Sequence, residues 1–62
     1  MDDKMLYVCL VEADNRKQNK ELSLEVRARS AETYAMLLKV AASRGYDFKS
    51  LQQSVTFGLQ AT

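Results

Sequence analysis

Met5, Leu6, Tyr7, Val8, Cys9, Leu10 and Val11 follow one another without a polar break between Lys4 and Glu12. Read as a strand, this run is apolar on both faces. Met5, Tyr7, Cys9 and Val11 point one way, and Leu6, Val8 and Leu10 the other. The next stretch, Ala13 to Lys20, is polar and contains the turn formers Asp14, Asn15 and Asn19, which predicts a hairpin tip. From Glu21 to Arg29 the pattern alternates. Leu22, Leu24, Val26 and Ala28 form one face, and Ser23, Glu25, Arg27 and Arg29 the other. Strict alternation predicts a half-buried second strand.

A different period begins near Ala31. At roughly 100° per residue, Ala31, Tyr34, Ala35, Leu37, Leu38, Ala41 and Ala42 form one wide apolar face. The spacing predicts a helix from Ala31 to Arg44, with Ser30 as N-cap and Gly45 in the left-handed position beyond its end. Met36 and Val40, one turn apart, fall outside that face. The last segment fits two periods. Phe48, Leu51, Val55 and Leu59 make a helical stripe with Asp47 as N-cap, whereas Val55, Phe57 and Leu59 alternate. The β-branched run at Val55 and Thr56, together with Gly58, favours a helical turn over 48–52 followed by a third strand over 54–60.

These elements predict an α+β fold in the order β-β-α-β: a small, antiparallel-rich sheet with one helix on one face. Residues 1–62 form a single domain, with 1–3 as a loose acidic tail. The expected core is Leu6, Val8, Leu10, Leu22, Leu24, Val26, Tyr34, Leu37, Leu38, Ala41, Phe48, Leu51, Val55 and Phe57. One helix covers only one side of a sheet, so a second copy of the chain is expected to cover the other. Met5, Tyr7, Cys9, Met36 and Val40 are the expected homodimer contacts.

Composition sharpens this expectation. A domain of 62 residues has a small core and usually needs disulfides, a metal or a partner chain. Cys9 is the sole cysteine and histidine is absent, so neither an internal disulfide nor a His/Cys zinc site can form. Association is the device left. Asp2 and Asp3 stand where a signal peptide carries positive charge. No run approaches the about 18 apolar residues of a membrane span. A lone cysteine in an apolar stretch suits a reducing compartment. The expected location is cytoplasmic, with no membrane partner.

Little in the chain suggests catalysis. The eight acidic residues are scattered, the serines have no histidine base, and Gly45 and Gly58 are the only glycines. Phosphate-cradling loops and nucleophile elbows need more glycine than this. No enzyme, cofactor, metal or small-molecule substrate is expected. Cys9 reads as a structural thiol, because no cationic neighbour in sequence would lower its pKa. The net charge is +1, which neither favours nor excludes nucleic acid. Arg16, Lys17 and Lys20 on the expected tip, with Arg27 and Arg29 on the second strand, are the candidate contacts to a partner or to nucleic acid.

Three stretches also resemble the ribbon-helix-helix DNA-binding repressors: Leu24-Glu25-Val26-Arg27-Ala28, then Lys39-Val40-Ala41-Ala42-Ser43-Arg44-Gly45, then Asp47-Phe48-Lys49-Ser50-Leu51. The resemblance implies a dimer of paired strands, with Ser23, Glu25 and Arg27 reading the major groove and Asp47 capping a second helix. Two functional expectations follow. The first is a non-catalytic interaction module: a small homodimeric cytoplasmic accessory protein, of the phage or mobile-element kind, that binds a protein partner. The second is a DNA-binding regulator.

Overall fold

The computed structural model describes residues 2–60, and the side chains up to Gly58. It consists of three helices: α1 (Asp3–Gln18), α2 (Leu24–Ser43) and α3 (Phe48–Gln60). No strand occurs among the described residues. The α+β expectation is therefore overturned at all three strands, and the expected hairpin tip becomes helix.

The first correction concerns the opening run. A continuous apolar stretch satisfies period 2 and period 3.6 alike, and here the helix prevails. Asp2, in extended conformation, accepts a hydrogen bond from the Met5 N–H at 2.8 Å. That satisfies one orphan donor at the head of α1. Asp3 sits in the first turn, and Arg16 and Lys17 in the last, as the helix dipole favours. Asp2 and Asp3 thus begin α1, while Met1 lies outside the described residues. Leu6, Leu10 and Ala13 make the buried stripe. The segment read as a hairpin tip holds Ala13, Arg16, Lys17 and Gln18, all good helix formers. Asp14 holds Lys17 at 3.4 Å and Gln18 at 3.0 Å across one turn. The turn lies farther on, at 19–23, where the Asn19 side chain accepts from the Glu21 N–H at 3.0 Å.

The second correction concerns Glu21 to Arg29. Ser23 Oγ accepts from the Val26 N–H at 3.2 Å and caps α2. The helix starts there instead of at Ala31, and Ser30 is a helix-interior residue. The alternation of Leu22, Leu24 and Val26 is real in sequence but marks no buried face: Leu24 is 75% exposed. Glu25 and Arg29 pair at 3.3 Å one helical turn apart, a contact of about 0.3–0.5 kcal/mol when exposed. The ribbon of the ribbon-helix-helix resemblance is therefore absent, since Leu24 to Ala28 are the opening turns of α2.

The far end of α2 stops as the sequence predicts. The Tyr46 N–H donates to the Ala41 carbonyl at 2.9 Å and the Gly45 N–H to that of Ala42 at 3.0 Å. Gly45 has φ 86°. This is a Schellman cap, which needs a left-handed residue at that point. Asp47 then starts α3. Its carboxylate accepts from the Ser50 N–H at 2.8 Å, and its own N–H donates to Ser50 Oγ at 3.0 Å. This reciprocal box carries the helix through the segment expected to be a third strand. Phe48, Leu51 and Val55 keep the helical stripe, and Phe57 is 75% exposed. The Leu59 side chain lies outside the described residues.

Leu6, Leu10, Ala41 and Leu51 form the sealed centre. Tyr7, Tyr34, Leu37, Leu38, Tyr46, Phe48 and Val55 pack around it. Of the expected core, Val8, Leu24, Val26 and Phe57 are instead exposed. α1 and α2 run antiparallel: Asp3, at the head of α1, pairs with Arg44, at the end of α2, at 2.9 Å. α3 lies against the Tyr7 side of α1, with the Tyr7 and Phe48 rings 5.7 Å apart.

Three outcomes test this architecture. A strand would place Leu6, Val8 and Leu10 on one face; the helix puts Val8, 40% exposed, away from the stripe. Val8→Asp should therefore cost no more than about 1 kcal/mol, whereas Leu10→Asp should abolish cooperative unfolding, because it buries an unpaired charge. Circular dichroism with urea titration separates the two. Gly45→Ala should destabilise by about 1–2 kcal/mol through the left-handed backbone. Gly58→Ala, whose new methyl would meet nothing within 4 Å, should stabilise by about 0.5–1 kcal/mol. The third outcome concerns pH. The Ser50 backbone N–H, then the Ser50 side chain, hold the Asp47 carboxyl below its ordinary 3.8. A lowered folded pKa gives stability that is complete above the unfolded value and lost as pH falls through the folded one. Asp47→Asn keeps the cap but cannot titrate. Its melting temperature should fall less than the wild type's as pH drops below 3.8.

Candidate functional site

α3 covers one side of the α1–α2 hairpin and leaves the other open. On α1, Met5 and Cys9 flank the buried Leu6–Leu10–Ala13 stripe on the side away from Tyr7, by helical rotation. Tyr7 itself packs on Phe48 of α3. On α2, Arg29, Thr33, Met36 and Val40 succeed one another at spacings of three and four, one ridge along the helix. The two flanks meet in a groove of about 370 Å³, lined by Ala13 and Arg16 of α1 and by Val26, Arg29, Ser30 and Thr33 of α2. The antiparallel pairing places Met5 near the level of Val40 and Cys9 near that of Met36. The open face thus has an apolar end, with Met5, Cys9, Met36 and Val40, and a groove end rimmed by arginines.

Four of the five expected dimer contacts therefore share a face. Met36 is 67% exposed, an unusual placement for a long apolar side chain within such an ordered helix. Cys9 is half-buried and free. Tyr7 is the exception, because α3 covers it. The strand reading grouped Met5, Tyr7 and Cys9 by alternation; the helix separates Tyr7 by rotating it toward α3.

The five basic candidates are not brought together as a single patch. Lys17 pairs with Asp14, and its ammonium lies 4.4 Å from the centre of the Tyr34 ring. Lys20 is exposed in the turn. Arg27 is half-buried, and its Nε is shut off from solvent with no hydrogen-bond partner. Of the five, Arg16 and Arg29 line one groove. Of the groove-lining residues, Ala13 and Thr33 did not stand out in the sequence, while Val26 was read as core and Ser30 as a helix cap. The signal was present: Val26, Ser30 and Thr33 are spaced at four and three, a helical period that starts at the Ser23 cap.

Chemically, the open face can bury apolar side chains and donate hydrogen bonds at one end. Ser30 is 8% exposed, lines the groove, and its hydroxyl takes part in no hydrogen bond. Among the described residues no group of three or more His, Cys, Asp or Glu could hold a metal ion. No helix among them is long and apolar enough to cross a membrane. No family model, curated protein or solved structure matches the chain.

Proposed function

We infer that the chain is a non-catalytic protein-interaction module whose working surface is the open face of the α1–α2 hairpin. One arrangement carries this reading: by helical rotation, Met5 and Cys9 of α1 and Met36 and Val40 of α2 fall on the flank away from Tyr7, the residue against which α3 packs. Exposed apolar residues scattered singly are ordinary, but a contiguous set marks a contact surface. Methionine suits such a surface, since its flexible thioether adapts to a facing helix. The natural occupant is helical, because the two antiparallel ridges of α1 and α2 present the grooves into which another helix packs.

A second copy of the chain is the simplest occupant. Two hairpins paired about a two-fold axis make a four-helix seam from Met5, Cys9, Met36 and Val40, without disturbing α3. A different protein then binds the assembly or competes for the same face. A reducing, cytoplasmic setting fits this role, with Cys9 at the seam as a thiol. The scattered basic residues give no comparable support to DNA binding.

Sedimentation equilibrium over a range of protein concentrations tests the reading. The wild type should associate, and Met36→Asp with Val40→Asp should weaken that association at least about tenfold, as expected when charges enter an apolar contact. Both positions are exposed, so helicity should be unchanged. A wild type that stays monomeric and that retains no protein partner disrupted by the same pair of substitutions would refute the open face as the working surface.

A further inference from the structure

We propose that the groove between the C-terminal half of α1 and the N-terminal half of α2 is a carboxylate-binding site. It would receive an acidic side chain from the helix docked on the open face. The proposal rests on that reading of the face and assigns the chemistry of the docked partner.

The groove contains a hydroxyl waiting for an acceptor. Ser30 is more than nine-tenths buried, yet its hydroxyl has no partner among the described residues. That hydroxyl opens on the groove, where a charged acceptor makes a stronger hydrogen bond than a neutral one. Arg16, Arg29 and Thr33 line the same groove. Arg16 forms none of the ion pairs of the described residues. Arg29 already holds a carboxylate, that of Glu25 at 3.3 Å, with both side chains 78% exposed. A contact so exposed exchanges readily for a better-buried one. Ala13 and Val26 supply apolar walls for the methylenes of the incoming side chain.

Charge selects among anions. Glu25 beside Arg29 and Glu12 one turn from Arg16 keep the local positive charge modest. A single carboxylate is matched by two guanidinium groups and a hydroxyl. A dianionic phosphate or a DNA strand would face the two glutamates with too few cations. The apolar end of the same face then covers the leucine-like residues that flank the acid on an amphipathic helix. The partner chemistry is thus an apolar helix face interrupted by a glutamate or aspartate.

Backbone amide spectra of the isotopically labelled full chain, kept dilute enough to be monomeric, decide the matter. Four probes are titrated: a capped amphipathic peptide with one glutamate among its leucines, its glutamine counterpart, inorganic phosphate, and a short DNA duplex. The glutamate peptide should shift the amides of Ala13, Arg16, Ser30 and Thr33 saturably, and bind at least about fivefold more tightly than the glutamine peptide. Ser30→Ala, which favours the helix, should erase most of that preference, and Arg16→Gln should do the same. Equal affinity for the two peptides, or equal preference in Ser30→Ala, would overturn the carboxylate site. So would groove shifts from phosphate or DNA as large as those from the glutamate peptide. If both peptides perturb Met36 and Val40 equally and leave the groove silent, the open face stands and the groove assignment falls. If no peptide shifts either end, the groove assignment falls, and the open face is decided by the sedimentation experiment.

Discussion

Every other feature of the molecule hangs on one small contact, where Leu6 and Leu10 of α1, Ala41 of α2 and Leu51 of α3 seal one another from water. Fully burying a leucine contributes about 1.5–3 kcal/mol, and among the described residues three leucines are sealed in this way. Ala41 matters by its smallness, because it lets the backbone of α2 approach at the point where the Schellman cap turns the chain toward α3. Half-buried Tyr7, Tyr34, Tyr46 and Phe48 extend the contact outward. A core of this size fixes the three helices relative to one another but cannot clothe both sides of the hairpin. The open face follows from that geometry: α3 lies on the Tyr7 side, and no other helix among the described residues lies on the opposite flank.

Capping chemistry does much of what the core cannot. Asp2, Ser23 and Asp47 each satisfy an orphan donor at a helix start, and the Ala41–Tyr46 bond satisfies an orphan carbonyl at a helix end. These local bonds fix where each helix begins and stops, so the limited apolar contact has only to fix how the helices lie together. The ion pairs add less. Asp3–Arg44 ties the ends of the hairpin and is partly shielded, whereas Glu25–Arg29 stands in solvent, where such pairs are nearly neutral.

The candidate site draws its character from the same arrangement. Antiparallel packing brings Arg16 of α1 and Arg29 and Ser30 of α2 to the lining of one groove. Neither arginine is notable by itself, and the basic residues nearby are turned to other uses: Lys17 to Asp14 and Tyr34, Arg27 partly inward. What the hairpin assembles is therefore a short, largely apolar groove with arginines among its lining, on the same flank as an apolar ridge.

The sequence by itself determined the local punctuation. Gly45 as the end of α2, Asp47 as the cap of α3, the helix face from Tyr34 to Ala41, and the apolar character of Met5, Cys9, Met36 and Val40 were all legible, because each rests on short-range chemistry. It did not determine the period of the remaining segments. Met5 to Val11 is apolar at every position and so satisfies a strand and a helix equally, and Leu22, Leu24 and Val26 alternate without being buried. Only the tertiary structure decided between the two. A strand must find its hydrogen-bond partners in another strand, while a helix closes its own and then needs just one buried stripe. Once Leu6, Leu10 and Ala13 had α2 to bury against, the helix was satisfied throughout. That choice, made by packing, turned Tyr7 toward α3, left Met36 and Val40 exposed, and brought Ser30 into one groove with two arginines.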